Sequence, residues 1–99
     1  MMAADATTRD HLIDAFLSRG QWAAARRTHL AGDASNRRYE RLLLDGDAPT
    51  VLMDAPPEKG EDIRPFVDVT ERLRRAGFSA PRIHAQDPET GLLRLCTAA

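Results

Sequence analysis

Apolar positions in the first twenty residues recur with a helical period. Leu12, Ile13, Phe16 and Leu17 share one side of a helix over 8–19, with Thr7 and Asp10 at capping-box spacing and Gly20 as the stop. Trp22 and the alanines after it read as a short link. The period then shortens. Residues 26–31 (Arg-Arg-Thr-His-Leu-Ala) and 37–44 (Arg-Arg-Tyr-Glu-Arg-Leu-Leu-Leu) read as strands, separated by the turn-forming run Gly32-Asp33-Ala34-Ser35-Asn36. Asp45-Gly46-Asp47 is a hairpin signal, and residues 50–54 (Thr-Val-Leu-Met-Asp) make a third strand. Three strands joined by short turns form, most simply, an antiparallel meander.

Pro56 and Pro57 close that segment, and a polar loop from Glu58 to Glu61 follows. The spacing predicts a second helix over 62–76. Pro65 falls in its first turn, where a missing N–H does little harm. Ile63, Phe66, Val67, Thr70 and Leu73 fall on one face, with Arg64, Glu71, Arg72 and Arg75 largely off it. Gly77 ends the helix and Pro81 prevents its return. Residues 82–86 and 92–95 read as two strands around the hairpin loop Asp87-Pro88-Glu89-Thr90-Gly91. The order is helix, three strands, helix, two strands, an α+β arrangement in one domain over residues 1–99. Phe16, Trp22, Tyr39, Phe66 and Phe78 are expected in its core.

Composition agrees with a folded domain: 42% of the 99 residues are hydrophobic and 29% charged, which argues against disorder. Of the fourteen basic residues, Lys59 is the only lysine. Arg26, Arg27, Arg37, Arg38 and Arg41 on adjacent strands could gather on a nucleic acid. The net charge of −1, the 5% aromatic content and the lack of a recognition motif argue against that partner. Cys96, the only cysteine, permits no disulfide and no cysteine-based zinc site within one chain. His11, His29 and His84 are scattered without metal-ligand spacing. The N-terminus lacks the basic start and apolar run of a signal peptide, and no apolar stretch approaches the roughly 20 residues of a membrane span. A soluble cytoplasmic protein is the expectation, with no membrane partner.

The candidate chemistry lies between the first two strands. A loop there can aim several backbone N–H groups at one point, and Gly32 lets the chain approach a ligand closely. Ser35 adds a hydroxyl, and Arg37 or Arg38 adds charge-assisted bidentate donors. Gly32, Asp33, Ala34, Ser35, Asn36, Arg37 and Arg38 are therefore the candidate phosphate-binding residues. The competing reading is an ordinary turn with solvated arginines. Asp54, before Pro-Pro, reads as a turn residue or as a ligand for sugar or metal.

Three segments carry a resemblance. Leu30 to Tyr39 resembles the glycine-poor phosphate loop of aminoglycoside-phosphotransferase-like kinases. Val51-Leu52-Met53-Asp54-Ala55-Pro56-Pro57-Glu58 with Arg64-Pro65-Phe66-Val67 resembles the third strand and following helix of one branch, and Ala80 to Ala85 resembles the fourth strand. Together they are similar to cell-wall sugar kinases that phosphorylate N-acetylmuramate or N-acetylglucosamine at the anomeric carbon. The resemblance runs from about residue 10 to 95. It implies a protein-kinase-like N-terminal lobe: a five-stranded antiparallel sheet with a packed helix, plus an extra N-terminal helix. It also implies ATP as the bound nucleotide, an amino sugar as the substrate of the full-length parent, and a place in peptidoglycan recycling.

The resemblance further implies that a C-terminal lobe with the catalytic aspartate and the Mg²⁺-binding acids lies outside these residues. No catalytic or metal-binding residue is assigned to the chain, and little phosphotransfer is expected from it alone. Kinases of this type pair a third-strand lysine with a glutamate on the next helix. Here Met53 or Asp54 stands where the lysine is expected, Lys59 lies out in the loop, and Asp62 is the acid best aligned with the inward face. Arg38 or Arg37 is the candidate for the missing charge. The alternative function is a truncated, non-catalytic binding or regulatory module. It would self-associate or bind a partner through the face left by the missing lobe, with an apolar patch expected near the fifth strand.

Overall fold

The computed structural model describes residues 6–30 and 36–96. Helix α1 (Ala6–Leu17) leads through a 3₁₀ turn (Gln21–Ala24) into β1 (Arg26–Leu30), β2 (Arg38–Leu43) and β3 (Thr50–Asp54). A second 3₁₀ turn (Pro57–Lys59) precedes α2 (Arg64–Arg75), and β4 (Ile83–Asp87) and β5 (Leu92–Cys96) complete the fold. The strands form one sheet in the order β1-β2-β3-β5-β4, with every neighbouring pair antiparallel. The meander of β1 to β3 is as expected. The hairpin of β4 and β5 adds to it through β5, leaving β4 at the edge.

Alternation along the strands separates two cores. Leu42, Leu52 and Leu92 meet Ile13, Phe16 and Leu17 of α1, together with Trp22. Met53, Leu93 and Leu95 face the other way and pack with Ala55, Ile63, Phe66 and Val67. Neighbouring residues of a strand point to opposite faces, so β3 can supply Leu52 to one core and Met53 to the other. Both are buried. The N-terminal helix is thus no appendage: α1 covers one face of the sheet and α2 the other. This is an α+β domain of the kinase N-lobe type, with the sheet sandwiched between two helices.

Several boundaries differ from the sequence reading for identifiable reasons. Helix α1 includes Ala6, so Thr7 lies inside it rather than at its cap. Helix α2 starts at Arg64, because the carboxylate of Asp62 accepts a hydrogen bond from the Arg64 N–H at 3.0 Å. The chain leaves α2 through Gly77 at φ +89, a left-handed conformation that side-chain-bearing residues avoid. Strand β4 carries a register shift between Ile83 and Ala85, which inserts His84 as an extra residue.

Phe78 does not join the core. It is 65% exposed just beyond that glycine turn, with its N–H bonded to the carbonyl of Leu73. Val69, off the face shared by Phe66, Val67 and buried Thr70, is exposed as well, and so is Leu73 in the last turn. Among the described residues, the apolar patch expected near the fifth strand is not found there. Leu92, Leu93 and Leu95 are buried, since β5 lies between β3 and β4 with a helix on each face. Among the described residues, the exposed large apolar side chains are Val69, Leu73 and Phe78.

Candidate functional site

The β1–β2 loop leaves the sheet at one end. Leu30 pairs with Tyr39 there, and Arg38 pairs with Asp54 at the end of β3. The chain after β3 turns back across the same end through Pro56, Pro57 and the 3₁₀ turn, and Gly60, at φ +87, redirects it towards α2. Asn36 connects the two segments: its Nδ2 donates to the backbone carbonyl of Lys59 at 3.0 Å. The backbone of the only lysine is thereby held against the start of β2, closer to the loop than its sequence position after two prolines indicates.

Arg37 makes a second connection. Its Nε donates to Oε1 of Glu61 at 2.8 Å, and its guanidinium carbon lies 5.9 Å from the centre of the Phe66 ring on α2. The hydrogen bond that Arg37 donates to Glu61 is the largest influence on Arg37 and holds its pKa above the ordinary arginine value, against the opposing effect of burial. This ion pair is half-buried, where screening by water is weaker than on the open surface.

Register separates alternatives that the sequence left open. Leu42 faces α1, and Glu40 binds Arg27, whose other guanidinium nitrogens reach Asp10 and Asp14 of α1. Arg38 shares that parity and is exposed. Arg37 and Tyr39 have the opposite parity, towards α2, and Tyr39 packs against the cluster that includes Met53. Only Arg37 of the two arginines therefore addresses the α2 side. The same rule resolves Met53 and Asp54. Met53 belongs to the α2 cluster, whereas Asp54 is buried on the α1 face and bound by Arg9. The position facing α2 on β3 is a methionine, and Asp54 is neither a turn residue in solvent nor open to a sugar or metal.

The acid that answers the sheet is also not the one the helix pattern picked out. Asp62 is exposed and forms a two-pronged pair with Arg64, at 2.9 Å for each contact, and this pairing lowers its pKa. Glu61, one residue earlier, faces Arg37. The left-handed turn at Gly60 rotates the chain just before the helix, so helical periodicity does not extend back to Glu61. Of the candidate phosphate-binding residues, Gly32, Asp33, Ala34 and Ser35 lie outside the described residues. Asn36 and Arg37 converge on the segment 59–61, and Arg38 diverges to the other face.

A five-stranded sheet in this order, with a helix entered from the end of β3, is the frame on which kinase N-lobes are built. The family described as Phosphotransferase enzyme family (APH) matches residues 26–98. The chain belongs to this phosphotransferase family. Among curated relatives, an N-acetylmuramate/N-acetylglucosamine kinase of Pseudomonas aeruginosa is 54% identical over 65 residues, covering 66% of this chain and 19% of the relative. The protein of that name from Pseudomonas putida is 45% identical over 76 residues, covering 77% of this chain and 22% of the relative. The one from Caulobacter vibrioides is 34% identical over an alignment of 104 residues, covering 79% of this chain and 28% of the relative. The chain therefore spans between 19% and 28% of the length of these phosphotransferases. Helix α1 precedes the part of the chain that the family pattern covers.

Proposed function

We propose that this chain is the ATP-binding lobe of a phosphotransferase that transfers the γ-phosphoryl group of ATP to an amino sugar, at the anomeric hydroxyl of N-acetylmuramate or N-acetylglucosamine. The observation that carries the reading is the convergence of Asn36, Arg37 and the Lys59–Glu61 segment beside the β1–β2 loop. The names of the three curated relatives support the substrate class. A phosphate tail needs a cation and several N–H donors that are already oriented, because a group prepositioned in the ground state costs no reorganisation later. Arg37 fits that demand. It is fixed against Phe66, its charge is secured by Glu61, and it stands where β2 emerges from the loop.

In this reading the Arg37–Glu61 pair takes the place of the strand lysine and helix glutamate of other kinases. Met53, buried in the cluster beneath α2, supplies no charge there. Among the described residues, no three His, Cys, Asp or Glu side chains form a group that could hold a metal ion, so no step is assigned to a metal on this lobe. The acids that orient the sugar hydroxyl and bind Mg²⁺ would belong to the part of the relatives' length that this chain does not span. The natural full-length enzyme tests the proposal. It should phosphorylate N-acetylmuramate or N-acetylglucosamine at C1 with ATP and bind ATP without sugar in equilibrium dialysis. An enzyme that binds no ATP, or that phosphorylates neither sugar, would refute it.

A further inference from the structure

A cleft lies on the α1 face of the sheet, at the end opposite the β1–β2 loop, where Thr50 pairs with Cys96. It has two parts that share Trp22, His84 and Arg94. The inner part holds about 180 Å³ and is walled by Phe16 and Leu17 of α1. The outer part holds about 310 Å³ and reaches Asp47 and Thr50. The outer part alone comes to the lower end of the range of roughly 300–1,000 Å³ usual for small-molecule sites.

The cation of this cleft lacks a hydrogen-bonding or ionic partner among the described residues. Arg94 lies over the sole tryptophan, its guanidinium carbon 4.6 Å from the Trp22 ring centre. Among the described residues it makes no hydrogen bond and no ion pair. Burial pushes its pKa down, and only a Coulomb attraction to Asp47 opposes this. Asp47 itself accepts a hydrogen bond from Gln21 at 3.0 Å. Thr50 is 5% exposed, and its Oγ1 is buried without a hydrogen-bond partner among the described residues. Arg94 is half-buried in the cleft wall, and a guanidinium without an ionic or hydrogen-bonding partner beside a concave apolar surface is poised for an anionic ligand.

The surroundings set its sign and shape. Arg82 and Arg94 both place positive potential on His84. Arg19 borders the inner part, with its charge answered by Asp87 at 2.5 Å. Arg94 carries five N–H donors in a planar fork that matches carboxylate or phosphate oxygens. Phe16, Leu17 and Trp22 offer apolar surface beside it.

We propose that this cleft is a binding site for a small organic anion, its carboxylate or phosphate head on Arg94 and its compact apolar body against Phe16, Leu17 and Trp22. It lies on the opposite sheet face from Arg37 and Glu61, so it is independent of the nucleotide reading.

Trp22 provides the readout. The 99-residue chain should be titrated with benzoate, phenyl phosphate and neutral benzamide while tryptophan emission is followed. Saturable quenching by benzoate or phenyl phosphate at millimolar concentration is expected, and the tighter of the two identifies the head group. Benzamide should bind at least about tenfold more weakly, the usual scale for losing a charge-assisted pair. Arg94→Gln should weaken the anion by a similar factor. Arg94→Lys keeps the charge without the planar fork, should weaken it severalfold, and provides the test if Arg94→Gln does not fold. No saturable change with either anion, equal binding of benzamide, or unchanged affinity in both variants would overturn the proposal.

Discussion

Arg9 of α1 holds the carboxylate of Asp54 at the end of β3, and both side chains are only 6% exposed. Both Nε, at 3.0 Å, and Nη2 of Arg9 donate to Oδ1. The pair joins residues 45 positions apart and ties the helix that precedes the family match to the strand at its centre. Taking one partner away leaves a charge buried without compensation, which is far costlier than replacing both by apolar groups. Arg9→Met and Asp54→Leu should each lower unfolding free energy by about 3–5 kcal/mol, while the double variant should recover most of that loss. Urea denaturation of the four proteins measures the cycle. Additive single losses would show that the two side chains do not act as a unit.

Gly91 closes the β4–β5 hairpin at φ +75, and a Cβ there would stand 1.9 Å from the carbonyl oxygen of Ala55. The Ala55 N–H also donates to the Gly91 carbonyl at 2.8 Å, so neither backbone can withdraw without breaking that bond. Gly91→Ala should cost at least about 2 kcal/mol, from the positive φ and the backbone clash together. Gly46→Ala is the control. It has a similar φ of +87 but nothing within 4 Å, and should cost only about 1 kcal/mol. Thermal unfolding of both variants decides the matter, and equal losses would remove the clash from the explanation.

The contrast between these two glycines shows what a sequence discloses. Asp45-Gly46-Asp47 and the Asp87–Gly91 run were legible as turns because turn chemistry is local, and β3 was legible at 50–54 because its residues and breakers are contiguous. The close approach of Ala55 to Gly91 was not, since it depends on β5 entering beside β3. Glu61 was missed for a related reason: helical periodicity points to Asp62, and only the turn at Gly60 brings its neighbour to Arg37. Arg9 looks like a surface residue in a helix rich in polar positions. Its burial follows from an acid on the sheet face that α1 covers, which no window of sequence contains. The Trp22–Arg94 cleft is assembled from α1, a 3₁₀ turn, β4 and β5, and was equally out of reach.

Arg37 and Arg38 are adjacent in sequence and opposite in role under the proposed function. In the natural full-length enzyme, Arg37→Ala should raise the KM for ATP by about tenfold or more, the scale of one charge-assisted contact. Arg38→Ala, on the face away from α2, should change it by less than about twofold, as for an exposed charge. Glu61→Gln separates binding from structure. It removes the counter-charge while keeping a hydrogen-bond acceptor, so ATP affinity should hold or improve if Arg37 meets phosphate directly. A loss in Glu61→Gln equal to that in Arg37→Ala would mean that the pair only braces the chain ahead of α2. Steady-state kinetics with varied ATP at saturating sugar supply all three values.

His84 offers a pH dependence with a defined sign. Burial lowers its pKa from 6.5, and the positive charges of Arg94 and Arg82 push in the same direction. The folded protein therefore binds a proton at this site less readily than the unfolded chain does. Its neutral form leaves stability intact above the unfolded pKa of about 6.5, and stability falls as the pH drops through that value towards the lower folded one. The side chain is largely solvated, so the slope should be shallow. Melting temperatures of the wild-type chain and His84→Asn, taken from about pH 7.5 to about pH 5.5, isolate the contribution, because the carboxylates titrate mainly below this range. The wild-type curve should decline more steeply than that of the variant. Parallel curves would mean that the cleft exerts no net repulsion on a proton at His84, and a steeper decline in the variant would reverse the sign.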